Sequence, residues 1–90
     1  MHKSPKVSVI MPVYNTSKYL HEALNSILNQ TFTDYEIIIT DDSSDNQIEE
    51  YVNTLTYKNR INYYRNPITL GSPKNWNYAL ELAKGDLIKI

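Results

Sequence analysis

The sequence contains no cysteine. That removes disulfides, thiolate nucleophiles and thiolate metal ligands, and it agrees with a reducing compartment. Long apolar runs are also missing: the longest, Val7 to Met11 with Ser8 inside it, is far shorter than the roughly 20 residues that span a bilayer. The opening "MHKSPK" leads into no signal-like segment, so a cytoplasmic address is expected. Excess charge of either sign is absent, with a formal net charge of -1, so neither nucleic acid nor an anionic membrane is favoured as partner. His2 and His21 stand at neither metal nor triad spacing, and no Ser/His/Asp arrangement is visible. Nucleophilic catalysis has no support. At 90 residues the chain holds one small domain and excludes a two-domain enzyme.

What is present is the balance of a packed domain, 41% hydrophobic and 21% charged. "KVSVIMPVYN" opens with β-branched residues, and Pro12, which cannot donate to a ladder, is expected to end a first strand near Met11. Leu20, Ala23, Leu24, Ile27 and Leu28 then form a helical stripe, with Thr16 or Ser17 as its cap. "EIIIT" does not alternate with polar residues, which fits a strand covered on both faces. Ser44 and Gln47 have capping-box spacing before a second stripe of Ile48, Tyr51, Val52 and Leu55. "RINYYRN" reads as a more exposed strand toward a sheet edge. "GSPKNWNYALELAKGD" predicts a third helix, with Ser72 as cap, Pro73 at its first position, Trp76, Ala79, Leu80 and Ala83 as the stripe and Gly85 as the stop. "DLIKI" starts a fourth strand. Strand-helix units in series imply parallel strands, hence a doubly wound α/β sheet whose ligands gather beyond the carboxyl ends of the strands.

The loops "PVYN" and "DDSSDN" open on that side. In the second, Asp41, Ser43 and Asp45 alternate as in a calcium loop, but Asn46 stands where a glycine is needed and Val52 where a bidentate glutamate is needed. Ser44 or Asp45 is better read as a helix cap. Asp41 and Asp42 differ, because adjacent acids at the end of a buried strand suffer desolvation and mutual repulsion. A ligand that donates to one of them explains the pair, and a uracil N–H and ribose hydroxyls are such donors. Tyr14 can stack on a base or pack on its loop, and Asn15 can hold the turn by bonding its own backbone. Lys74 opposes the dipole in the first turn of the third helix, which leaves anion binding or an ordinary surface lysine open.

Together, "VSVIMPVYN", "SILNQTFTDYEIIITDDSSDN", Asn66 and "LGSPKNWNYALELAKGDLIKI" resemble the amino-terminal half of the inverting GT-A glycosyltransferases of family 2, from Lys6 to Ile90. The resemblance implies a three-layer, mainly parallel, Rossmann-like sandwich truncated after the start of its fourth strand, with residues 1–90 as one partial domain. It implies a nucleotide-sugar site in which Pro12 and Tyr14 line a uracil pocket, Val13 and Asn15 shape that loop, Asp42 accepts from the uracil N–H and Asp41 supports it. Gly71 and Lys74 match the segment that approaches base and diphosphate. Ser43-Ser44 departs from the Gly-Ser of many relatives and leaves the acids in place.

The implied activity is transfer of a sugar from a nucleotide-diphosphate sugar, a UDP-sugar above all, to a saccharide or lipid-linked acceptor in polysaccharide or glycoconjugate synthesis. The full-length enzyme is expected to use Mn²⁺ or Mg²⁺ and a general base whose residues lie beyond Ile90, and to sit in the cytoplasm, peripheral at the inner face of the membrane. No catalytic or metal residue is expected in this chain, which alone is expected to be inactive. A non-catalytic nucleotide-binding or assembly domain is the alternative. A receiver-like signalling domain needs an acceptor Asp after a middle strand, which "RINYYRN" does not offer. The free edge of the fourth strand is expected to favour homo-oligomers.

Overall fold

The computed structural model describes residues 7–15, 18–28, 34–55, 61–85 and 87–89. Their order is β1 (Val7–Val13), α1 (Lys18–Leu28), β2 (Tyr35–Asp41), α2 (Gln47–Asn53), β3 (Ile61–Arg65), α3 (Ser72–Leu82) and β4 (Leu87–Lys89). All pairings are parallel in a sheet of order β3-β2-β1-β4, with Val7 opposite Tyr35 and Val13 opposite Asp41. The chain steps outward from β1 to β3 and then returns across β1, and right-handed crossovers put the returning helix on the opposite face. Accordingly Val9, Met11, Ile37 and Ile39 pack with Leu20, Leu24 and Ile27 of α1 and Ile48 and Val52 of α2. Ile10 and Ile38 turn the other way, to Ala79 and Trp76 of α3. Burying both faces of β2 explains the uninterrupted Ile37-Ile38-Ile39 run, and each fully buried isoleucine contributes roughly 1.5–3 kcal/mol. β3 takes the edge, as its mixed polarity predicts.

The structure departs from the sequence reading at three element ends and at one position in the stripe of α3. β1 runs through Pro12 to Val13. Val7 N donates to Asp34 O and Val13 O accepts from Asp42 N, so odd-numbered residues of β1 bond β2 and the nitrogen of Pro12 faces the other side. There the described register to β4 covers only Val7 to Val9, and Pro12 withholds no ladder bond. α2 is capped at Asn46 without a side-chain bond, so the Ser44–Gln47 capping box does not form; instead Asp45 Oδ1 accepts from Gln47 N at 3.1 Å. Gly71 rather than Ser72 is the cap of α3, with φ 91°. That left-handed geometry suits glycine alone, and Gly71 O accepts the first helical bond from Asn75 N. Leu80 is 41% exposed, because the buried stripe of α3 runs through Asn75 and Ala79. Thr16 and Ser17, read as caps of α1, lie outside the described residues. Among the described residues, no helix is long and apolar enough to cross a membrane.

At the amino ends of the strands a polar knot fastens the exit of α3. Ser8 Oγ donates to Glu36 Oε2 and accepts from Gly85 N at 2.7 Å, while Lys84 N reaches Glu36 Oε2 at 2.8 Å. A Cβ on Gly85 would lie 2.6 Å from Ser8 N and 2.8 Å from Val7 C, both backbone atoms. Gly85→Ala is therefore expected to cost about 1–3 kcal/mol, read as a lower urea midpoint with an unchanged m-value.

Candidate functional site: a cleft at the carboxyl ends of the strands

β1, β2 and β3 deliver Val13, Asp41 and Arg65 to one end of the sheet. Beyond them a cleft of about 360 Å³ is lined by Pro12, Val13, Tyr14, Asp42, Thr69, Gly71, Ser72, Asn75 and Trp76. A neighbouring groove of about 340 Å³ shares Pro12, Val13 and Trp76 but runs along β1 against α1. Its lining is mostly aliphatic, so the polar chemistry belongs to the first cleft.

Asp42 organises that cleft. Its Oδ1 accepts from Leu70 N at 2.7 Å and Asn66 Nδ2 at 2.9 Å, and its Oδ2 accepts from Gly71 N at 2.9 Å. Thr69 Oγ1 adds a bond to Asp42 O at 3.1 Å. Oδ1 therefore has both lone pairs engaged, whereas Oδ2 keeps room for one more donor. Burial on its own raises the pKa of Asp42, but the bonds from Leu70, Asn66 and Gly71 outweigh it and hold the carboxyl below its ordinary value. The group is an anion at neutral pH.

Asp41 is fully buried and faces inward. Its Oδ1 accepts from Ser43 N at 3.0 Å and its Oδ2 from the hydroxyl of Tyr63. Burial, then the bond to Asp41, pushes the Tyr63 hydroxyl above the ordinary phenol range, so it stays a donor. The two adjacent acids escape mutual repulsion by pointing at separate donor sets.

Asn15 stitches the loops after β1 and β2. It sits at φ 61°, its N–H donates to Ser43 Oγ at 2.6 Å, and its Oδ1 accepts from Ser44 N at 2.9 Å. The expected bond to its own backbone gives way to these, because the second loop supplies donors and acceptor together. Arg65 braces the same loop from β3, bonding Asn46 Oδ1 and pairing with Glu49 at 3.1 Å.

Of the residues singled out in the sequence, Pro12, Val13, Tyr14, Asp42 and Gly71 line the cleft, and Asn15 and Asp41 support it. Lys74 is exposed and does not line it. Sequence reading gave Asn66 no site role, missed Thr69 and Asn75, read Ser72 only as a helix cap and assigned Trp76 to the core alone. An asparagine four residues before Ala79, in a slot of the buried stripe, was the available signal for Asn75.

The described residues do not build a metal site. Both oxygens of Asp41 and of Asp42 face N–H or O–H donors, and among the described residues no group of three or more His, Cys, Asp or Glu could hold one.

A parallel sheet whose strand order reverses beside β1 is the doubly wound α/β arrangement, which places ligands beyond the carboxyl ends of its strands. The family model described as Glycosyl transferase family 2 matches residues 8–90, and the chain belongs to that family. An uncharacterized glycosyltransferase of Haemophilus influenzae is 38% identical over 85 residues, 93% of this chain and 34% of that protein. The GalNAc(5)-diNAcBac-PP-undecaprenol beta-1,3-glucosyltransferase of Campylobacter jejuni is 38% identical over 86 residues, 93% of this chain and 28% of that protein. Among solved structures, Staphylococcus aureus TarS 1-349 in complex with UDP superposes with a TM-score of 0.80 at 33% identity, covering 94% of this chain and 26% of that one. The chain thus spans about a third or less of the length of the curated relatives it matches, and its fold is that of GT-A glycosyltransferases.

Removing the charge of Asp42 tests the electrostatic reading. Asp42→Asn is expected to cost about 2–3 kcal/mol at neutral pH, the scale of hydrogen bonds to a charged group. Because the folded pKa is depressed, the stability at stake is fully present above the unfolded value of 3.8 and is lost as pH falls through the lower folded value. Urea unfolding across that range is expected to show the gap between the two proteins narrowing in acid.

Proposed function

We propose that this chain forms the nucleotide-binding half of a glycosyltransferase that takes a nucleotide-diphosphate sugar, with a UDP-sugar as donor, and passes the sugar to a saccharide or lipid-linked acceptor in polysaccharide or glycoconjugate synthesis. One observation carries the reading: Asp42 is a buried anion on the cleft wall whose Oδ2 can still accept a hydrogen bond. A uracil imide N–H is a donor of the right kind, and Tyr14, 55% exposed at the rim, offers a face for the ring. UDP bound to TarS and the undecaprenol-linked substrate named for the Campylobacter relative support the donor and the acceptor class.

Pro12 and Val13 form the wall beside the base, Asn15 and Asp41 hold the loops, and Gly71 lets the backbone approach closely. Lys74, on the exposed first turn of α3, serves the diphosphate only. A divalent cation on that diphosphate and a general base for the acceptor hydroxyl complete the proposed reaction, at the cytoplasmic face of the membrane.

Trp76 lines the cleft and provides the readout. Titrating UDP into the 90-residue chain is expected to change its fluorescence saturably, with or without Mn²⁺, and Asp42→Ala to weaken binding by tenfold or more, the equivalent of about 1.4 kcal/mol. Lys74→Ala is expected to weaken UDP about threefold and leave uridine unchanged. No saturable response to UDP rejects the reading in favour of an assembly domain.

A further inference from the structure

Asn66 follows the carboxyl end of β3, is 6% exposed and is not part of the cleft lining. Its side-chain amide nevertheless touches two lining residues, donating to Asp42 Oδ1 at 2.9 Å and to Asn75 Oδ1 at 3.0 Å. Its own N–H donates to Asp41 O at 2.9 Å. Asn75 Nδ2 in turn donates to Thr40 O at 3.1 Å. The orientation of both amides is fixed by chemistry. A carboxylate oxygen only accepts, so the NH₂ of Asn66 must face Asp42, and the second hydrogen of that NH₂ requires the oxygen of Asn75.

Building on the nucleotide reading above, we propose that Asn66 is a positioning residue for base selection. It saturates Oδ1 of Asp42, so the one accepting position left on the carboxylate is on Oδ2, and it holds the amide of Asn75 so that its oxygen faces Asn66 and one of its two N–H donors is engaged by Thr40 O. The cleft wall then presents an acceptor in a fixed place, matched to a base with a ring N–H and mismatched to one with an acceptor there, as in cytosine. Without Asn66, Oδ1 regains a lone pair, Asn75 is free to turn its amide, and the distinction between the two kinds of base fades.

The test compares UDP with CDP by Trp76 fluorescence in the 90-residue chain. The unaltered chain is expected to prefer UDP; binding of neither overturns the nucleotide reading and this proposal with it, whereas equal binding of both leaves nucleotide binding standing and overturns this proposal. With that preference in hand, Asn66→Ser is expected to lower UDP affinity about tenfold, leave CDP nearly unchanged and shrink the preference at least fivefold. A folded Asn66→Ser chain that keeps the ratio, with both affinities reduced alike, makes Asn66 merely structural and overturns the proposal while leaving the nucleotide reading standing. A second measurement needs no variant. In NMR spectra of the unaltered chain, the two Asn66 side-chain amide protons are expected to exchange slowly with solvent and to shift on addition of UDP but not of ribose 5-phosphate; a response to both alike, or to neither, overturns the proposal.

Discussion

The carboxylate of Asp42 is the constraint on which this end of the molecule is built. The segment 66–71 contains no helix or strand, so its backbone N–H groups need partners from outside it. Asp42 supplies them for Leu70 and Gly71, and in doing so sets the cap of α3 and the height at which Asn75 and Trp76 enter the cleft wall. The group with the chemistry to meet a ligand is therefore also the group that shapes its surroundings. Improving one role at the expense of the other is not open to this site, since a neutral residue at position 42 would leave buried donors unpaired.

The neighbouring loops follow the same economy. Asn15 occupies a left-handed conformation that most side chains avoid, and its amide oxygen and backbone N–H together hold Ser43 and Ser44. That places the two loops flanking the topological switch point under one set of hydrogen bonds, with Arg65 bracing them from the edge strand. Local strain at Asn15 is tolerated because contacts to a second loop over-determine it.

How much of this was legible in the sequence depended on the range of the interactions involved. The Ile37-Ile38-Ile39 run, the stripe of α1 and the Pro73 and Gly85 punctuation of α3 are local signals, and they located the sheet, its parallel character and the cleft. Asp41 and Asp42 were legible as a pair because adjacent acids after an apolar run are costly in any fold. Asn66 and Asn75 were not, because their partners Asp42 and Thr40 lie 24 and 35 residues away in sequence, and a polar residue in a helix stripe announces no partner by itself. Pro12 was misjudged for a related reason. Whether a proline breaks a strand depends on which side its missing donor faces, and that is a property of the sheet order.

The knot between Ser8 and Gly85 closes a loop of 77 residues. β1 precedes β2, β3 and β4 in the chain, yet its pairing with β4 and the anchoring of α3 across its Ile10 face can be completed only after α3 and β4 have been synthesised. Loop closure over such a span is entropically demanding and comes late. During that interval the β1 edge, rich in valine and isoleucine, stands open to other nascent chains. The long sequence separation of Ser8 and Gly85 thus couples the closing of the sheet at β1 to the docking of α3.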